Sequence, residues 1–203
     1  MFRNKKNSFI ILFFLTSNCI AQDTKEIDVT DVFKVTIMNP GIGYEKRIGK
    51  NQTIYTQGFM NLSALVSGDF YGTTEYQFYF DPALTGQYRY YYNLKKRADN
   101  DKRIDMNSGN YVAAVYETVF SKAPISTDYM EETKRRAMNR IGVVWGLQRN
   151  FEKRFSLDLN VGLGYLSAKS TRYDVSQDKT ISKTTGLPTL LGQINIGFWL
   201  NKR

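Results

Sequence analysis

Between Glu75 and Asn93 the chain alternates. Tyr76, Phe78, Phe80, Pro82, Leu84, Gly86, Tyr88, Tyr90 and Tyr92 share one parity; Glu75, Gln77, Tyr79, Asp81, Ala83, Thr85, Gln87, Arg89 and Tyr91 share the other. A period of two puts each set on its own face of a β-strand, whereas a helix would scatter both around its circumference. The run outlasts the ~5–6 residues of an ordinary soluble strand. Aromatics crowd both ends of its apolar parity, with small residues between. A strand that crosses a membrane needs roughly 9–11 residues in hydrocarbon and aromatic girdles at both interfaces.

The pattern recurs along the chain. Phe33, Val35 and Ile37 alternate with Lys34 and Thr36. Asn39-Pro40-Gly41 then predicts a tight reversal or a sharp bend, since Pro presets one turn dihedral and Gly accepts positive φ; a reversal gives eight strands and a bend seven. A second strand sets Ile42, Tyr44 and Ile48 against Gly43, Glu45 and Arg47. A third covers about Gln52 to Val66, and the run from Glu75 is the fourth. Tyr111 to Val119 is a fifth of weak phase, because Ala113 and Ala114 fit either face. Ile141 to Gln148, Phe155 to Tyr165 and Leu190 to Leu200 complete eight. The intervening stretches Ser67–Thr74, Phe120–Arg140 and Ser167–Leu187 read as polar loops, with EETKRRAM suited to a helical turn or two. Leu94 to Asn110 reads as a solvated, charge-rich turn. An even strand number with short turns on one side and long loops on the other predicts an all-β fold: an eight-stranded antiparallel up-and-down transmembrane β-barrel.

Alternation alone does not say which face points outward, and a lipocalin-like barrel buries its apolar face. Three features favour apolar-out. Glycines gather on the polar parity of the last three strands, which suits a narrow, crowded interior. Charges on the apolar parity of the clean strands are confined to Lys46 and Arg149, beside turns on the periplasmic side. The final strand closes in apolar and aromatic residues. Tyr76, Phe78, Tyr88, Tyr90, Tyr92, Tyr165 and Phe198 are then expected as interface aromatics. Lys34, Glu45, Arg47, Arg89 and Asp158 are expected inside as a structural charge network, because eight strands leave room only for side chains. Buried charges need partners, so Glu45 or Asp158 should lie close to Lys34 or Arg89.

Composition adds compartment and little chemistry. Arg3, Lys5 and Lys6, then Phe9 to Leu15, then Cys19-Ile20-Ala21 read as a secretory signal peptide over residues 1–21. Thr16-Ser17-Asn18 suit cleavage after Ala21 better than lipidation at Cys19. Residues 22–31 then form a polar periplasmic tail and 32–203 the barrel. The single cysteine lies in the leader, so the mature chain uses neither disulfide nor thiol. The formal net charge of +9 would allow a nucleic-acid partner, but export argues against one and leaves anionic outer-membrane lipid as the nearer counter-charge.

The leader, the alternating strands and the closing QINIGFWL resemble small outer-membrane barrels of the OmpA/OmpX architecture, especially the short uncharacterised barrels of Bacteroidota. The chain departs from that pattern in placing Asn201-Lys202-Arg203 after the last apolar residue. The resemblance covers about Val32 to Leu200. It implies outer-membrane location and insertion by the barrel-assembly machinery, and implies no activity.

There is no histidine, which removes the usual general base near neutral pH. No zinc spacing, phosphate loop or nucleotide fingerprint occurs, and Gly162-Leu163-Gly164 reads as packing. No catalytic residue, metal ligand or cofactor is therefore expected, and no surface partner can be named from these residues. The expectation is a non-catalytic outer-membrane barrel acting through structure or its outer loops. The alternatives are a secreted lipocalin-like binder, whose interior would hold Phe78, Leu159 and Ile196, and a lipid-modifying enzyme that works without histidine.

Overall fold

Strands β1 (Val32–Met38), β2 (Gly41–Gly49), β3 (Gln52–Gly68), β4 (Thr74–Tyr91), β5 (Asn110–Ser121), β6 (Arg136–Asn150), β7 (Phe155–Asp174) and β8 (Lys179–Trp199) follow in that order. Each pairs antiparallel with the next, and β1 pairs with β8 to close the ring. The computed structural model describes residues 27–68, 74–125, 128, 132, 134–174 and 178–201. The signal peptide expected over residues 1–21, the tail expected at residues 22–26 and the centre of the expected Ser67–Thr74 loop lie outside them. No helix among the described residues is long and apolar enough to cross a membrane, which says nothing of strands.

Asn39 and Pro40 make a true reversal, with Asn39 at φ 53°; asparagine tolerates that left-handed conformation. Eight strands result. The same residue ties the short hairpin to its neighbours: its side chain donates to the Ile194 carbonyl (3.2 Å) and accepts from the Leu62 amide (3.3 Å). Beyond it the far halves of β3 and β8 pair on one side only, with β4 and β7.

Burial follows parity. In β4, Asp81, Ala83, Thr85, Gln87, Arg89 and Tyr91 are buried, while Tyr76, Phe78, Phe80, Leu84, Tyr88 and Tyr90 are exposed. Register transmits this phase around the ring, and it resolves the ambiguous β5 with Ala113 inside and Ala114 outside. Phe78 and Leu163 are 72% and 70% exposed, and Leu159 and Ile196 are half-buried on the same outer parity. Large apolar residues form the wall, and the interior holds the charged and amide side chains together with small apolar clusters such as Phe59, Ala83 and Val119.

Three sequence expectations are corrected. Ser167–Leu187 is chiefly strand: β7 and β8 run 20 and 21 residues and pair from Phe155↔Phe198 to Asp174↔Lys179. Its polar composition reflects a hairpin whose β8 arm is exposed or half-buried at every residue, while Ala168 and Ser170 of the β7 arm are buried. Next, Arg136, Ala137 and Met138 from EETKRRAM extend β6 instead of forming a helical turn. Arg136 is buried there against Asp128 (2.5 Å) and Glu132 (2.7 Å), which draws the β5–β6 connection back onto the barrel. Burial pushes the Asp128 carboxyl up, but hydrogen bonds from Arg136, the Ile125 amide and Ser170 outweigh it and hold the group below its ordinary value.

The third correction concerns Leu94–Asn110. It contains a short helix α1 (Leu94–Ala98) and a 3-10 turn at Asp105–Asn107, and it caps the end of the barrel where β1 begins and β8 finishes. Leu94, Asn107 and Ser108 are buried. Leu94 and Ile104 pack with Val29, Tyr91 and Tyr111. Asn107 binds the backbone of Thr30 in both directions at 2.7 and 2.8 Å. Ser108 does the same with Asn150 at 2.8 and 3.2 Å. The residues just before β1 are therefore strapped across the barrel mouth.

Candidate functional site, a charge network in the barrel interior

Four expected charges meet just inside that capped end. Lys34 enters from β1, Glu45 from β2, Arg89 from β4 and Asp158 from β7, all essentially inaccessible. β1 and β2 form one hairpin, but β4 and β7 are distant in sequence, and closure of the ring brings all four side chains to one level. Lys34 Nζ lies 3.5 Å from Glu45 and 3.8 Å from Asp158. Arg89 Nη1 lies 2.8 Å from Asp158 and 3.9 Å from Glu45. Two cations face two carboxylates, so the cluster is neutral overall.

Uncharged side chains complete it. Glu45 accepts from Tyr91 (2.6 Å), Thr53 (2.8 Å) and Gln148 (3.1 Å), and Asp158 accepts from Tyr111 (2.7 Å). The Gln148 carbonyl oxygen accepts from both Lys34 (2.5 Å) and Arg89 (2.8 Å). The Arg89 guanidinium sits between two rings, 4.0 Å from the centre of Tyr55 and 4.4 Å from that of Tyr111. Stacking of this kind suits a weakly hydrated planar cation and adds to ion pairing when desolvated.

Glycine makes the room. A Cβ on Gly146 would lie 2.3 Å from the Tyr111 ring, and one on Gly43 would lie 2.6 Å from the Tyr55 hydroxyl. Further along the barrel, Gln57 accepts from Asn195 and Gln193 (both 3.3 Å) and donates to Thr36 (3.1 Å). Past these, Glu117 meets Arg140 at 3.0 Å. The pocket lined by Gln87, Val115, Glu117, Arg140, Val144 and Leu191 measures about 20 Å³, room for a single water.

Arg47 does not join this network. It shares the inward parity of Glu45 but lies at the end of β2, where the pairing with β3 shifts register. Its side chain is 48% exposed and pairs with Asp28, beyond the last interior layer. Tyr55, Tyr91, Tyr111 and Gln148 are the members that counting charges missed. Their inward parity was readable, but which of them sit level with Arg89 depends on register. The seven expected interface aromatics, Tyr76, Phe78, Tyr88, Tyr90, Tyr92, Tyr165 and Phe198, all stand exposed on the outer wall. No group of three or more metal-ligating side chains occurs among the described residues.

Fold and interior together define a closed eight-stranded β-barrel with an apolar outer wall and a side-chain-filled polar interior. The chain belongs to the family described as Protein of unknown function (DUF3575), whose model matches residues 9–200. No curated protein and no solved structure matches it.

Proposed function

We propose that this protein is an integral outer-membrane β-barrel without catalytic activity. Its role is envelope structure or surface contact through the end opposite the capped one. The observation that carries the reading is the inverted wall: the large apolar side chains of alternate residues point out, while the charged and amide side chains point in, with small apolar clusters such as Phe59, Ala83 and Val119 between them. A soluble protein rarely exposes contiguous apolar surface beyond a few hundred Å², whereas lipid requires it. On β4, Phe80 to Tyr88 spans about 26 Å along the strand, and Phe78 to Tyr90 about 40 Å, at ~3.3 Å per residue. With a tilt of ~40° the aromatic girdles bracket about 20–30 Å, which fits an apolar band of ~25 Å.

β7 and β8 are 20 and 21 residues long, well beyond the ~9–11 a crossing needs. Their polar ends therefore project past the membrane and form, with the β5–β6 connection, the surface offered to a partner. The filled interior supports a barrel that conducts neither solutes nor lipid. Envelope fractionation without detergent, with gel mobility compared before and after boiling, tests the proposal. The expected result is outer-membrane recovery and a boiling-dependent band shift. Recovery in the soluble fraction with one unshifted band would overturn it.

A further inference from the structure

On the capped end, at the foot of the outer wall, a cavity of about 450 Å³ is lined by Tyr92, Asn93, Lys96, Arg97, Asn100, Lys102, Asn110 and Arg149. Four of these are cations, and no carboxylate lines the cavity. Several other cations at this end have carboxylate partners. Lys46 binds Asp31, Arg47 binds Asp28, Lys95 binds Asp99, and Arg103 binds Asp105 and Glu152. In the cavity the guanidiniums are held in place by neutral acceptors instead. Arg97 donates to the Arg103 carbonyl (2.9 Å). Arg149 donates to the carbonyls of Gly109 (2.9 Å) and Gln148 (2.7 Å) and to the Asn110 side chain (2.7 Å). These bonds orient the two groups but leave their charge uncompensated. Burial accordingly holds Arg97 below its ordinary value. The side-chain amide oxygens of Asn93 and Asn110 are taken by the Asn110 amide and by Arg149. Their NH2 groups donate to nothing among the described residues.

Preorganised cations and free amide donors around an acid-free hollow are the complement of a phosphate oxyanion. The wall beside the hollow is aromatic and exposed: Tyr90, Tyr92 and Trp145, with the Trp145 indole donating to Tyr92 Oη at 2.7 Å. We propose that this cavity binds the phosphodiester headgroup of an anionic glycerophospholipid in the periplasmic leaflet, with the acyl chains lying along that aromatic wall. The inference rests on the outer-membrane reading above. It goes further in naming a lipid class and a single site on the circumference.

The test titrates the full chain in uncharged detergent with dioleoylphosphatidylglycerol or dioleoylphosphatidylcholine and counts bound lipid by native mass spectrometry. The glycerol lipid should be retained at least tenfold more tightly than the choline lipid. Each surface-near cation contributes about fivefold to binding of anionic lipid, so Lys96→Gln with Lys102→Gln should weaken phosphatidylglycerol about thirtyfold. Both lysines are exposed, and neither side chain supports the fold. Lys50→Gln with Lys153→Gln, exposed turn cations on the same rim outside the cavity, should change nothing. Equal retention of the two lipids, or equal loss in both double variants, overturns the proposal. Displacement by inorganic phosphate at matching concentrations would also overturn it, assigning the cavity to free phosphate. The boiling-dependent gel shift of each variant reads the barrel separately. A retained shift with no lipid preference removes the site and leaves the membrane reading intact.

Discussion

The balance of the interior network can be measured by charge cycling between Lys34 and Glu45. In Glu45→Gln, one carbonyl oxygen remains to accept from Thr53 and Tyr91, now 2.8 and 2.6 Å from the carboxylate. The charge is gone, and Lys34 and Arg89 are left facing Asp158 alone. All four groups are essentially inaccessible, so water cannot screen the excess. Breaking one side of a buried pair typically costs ~3–5 kcal/mol, a large share of the ~5–15 kcal/mol that holds a typical domain folded. Lys34→Met creates the opposite imbalance, with two carboxylates on Arg89, and should cost about as much. The double variant restores one cation to one anion, Arg89 to Asp158, already 2.8 Å apart. Its cost should fall short of the sum of the singles by about 2–3 kcal/mol, near the upper end for residues in one network. Urea unfolding of the micelle-folded chain, followed by the fluorescence of Trp145 and Trp199, supplies the three values. Additivity within ~0.5 kcal/mol would show that the four charges do not act as one neutral unit.

Other outcomes follow from the same geometry. Gly146→Ala drives a methyl to 2.3 Å from the Tyr111 ring and should cost ~1–3 kcal/mol by overpacking; an unchanged urea midpoint would argue against the glycine-made space. Val161→Arg, on the exposed wall midway between Phe155 and Tyr165, should cost ~2–4 kcal/mol when the chain is folded in lipid vesicles, and a cost near zero would contradict lipid contact there. The Ile125 and Thr171 amides both donate to Asp128, at 2.8 and 3.1 Å. The Asp128 carboxyl is held below its ordinary value, so its stabilisation is fully present above about pH 4 and is lost as pH falls through the lower folded value. Hydrogen exchange at these two amides should therefore stay slow from pH 7 to about 4 and accelerate only below; acceleration already at pH 5–6 would contradict the sign.

Parity was legible because it is local. Successive side chains on any extended strand point opposite ways, so the residues of β4 and β7 declared their two faces without reference to the rest of the chain. The break at Asn39-Pro40-Gly41 was equally local, but that it reverses the chain instead of bending it was decided by the structure, where Asn39 takes φ 53°. That locality also explains the mistakes. Ser167–Leu187 has too few apolar residues to alternate, and only its pairing partner makes it a strand. Leu94–Asn110 advertises its lysines and arginines, while the contacts that cap the barrel come from Leu94, Ile104, Asn107 and Ser108.

What the amino acids determined alone was the period of two, the approximate strand number and the parity that places charges inside. Tertiary structure decided which charges meet. Lys34 and Arg47 both point inward by parity, yet one sits at the level of Glu45 and Asp158 and the other beyond the rim, paired with Asp28. Height within a barrel depends on stagger between strands and on closure of β1 against β8. Those are relations between strands, as in the closure pairing Lys34 with Trp199, and no repeat within a single strand encodes them.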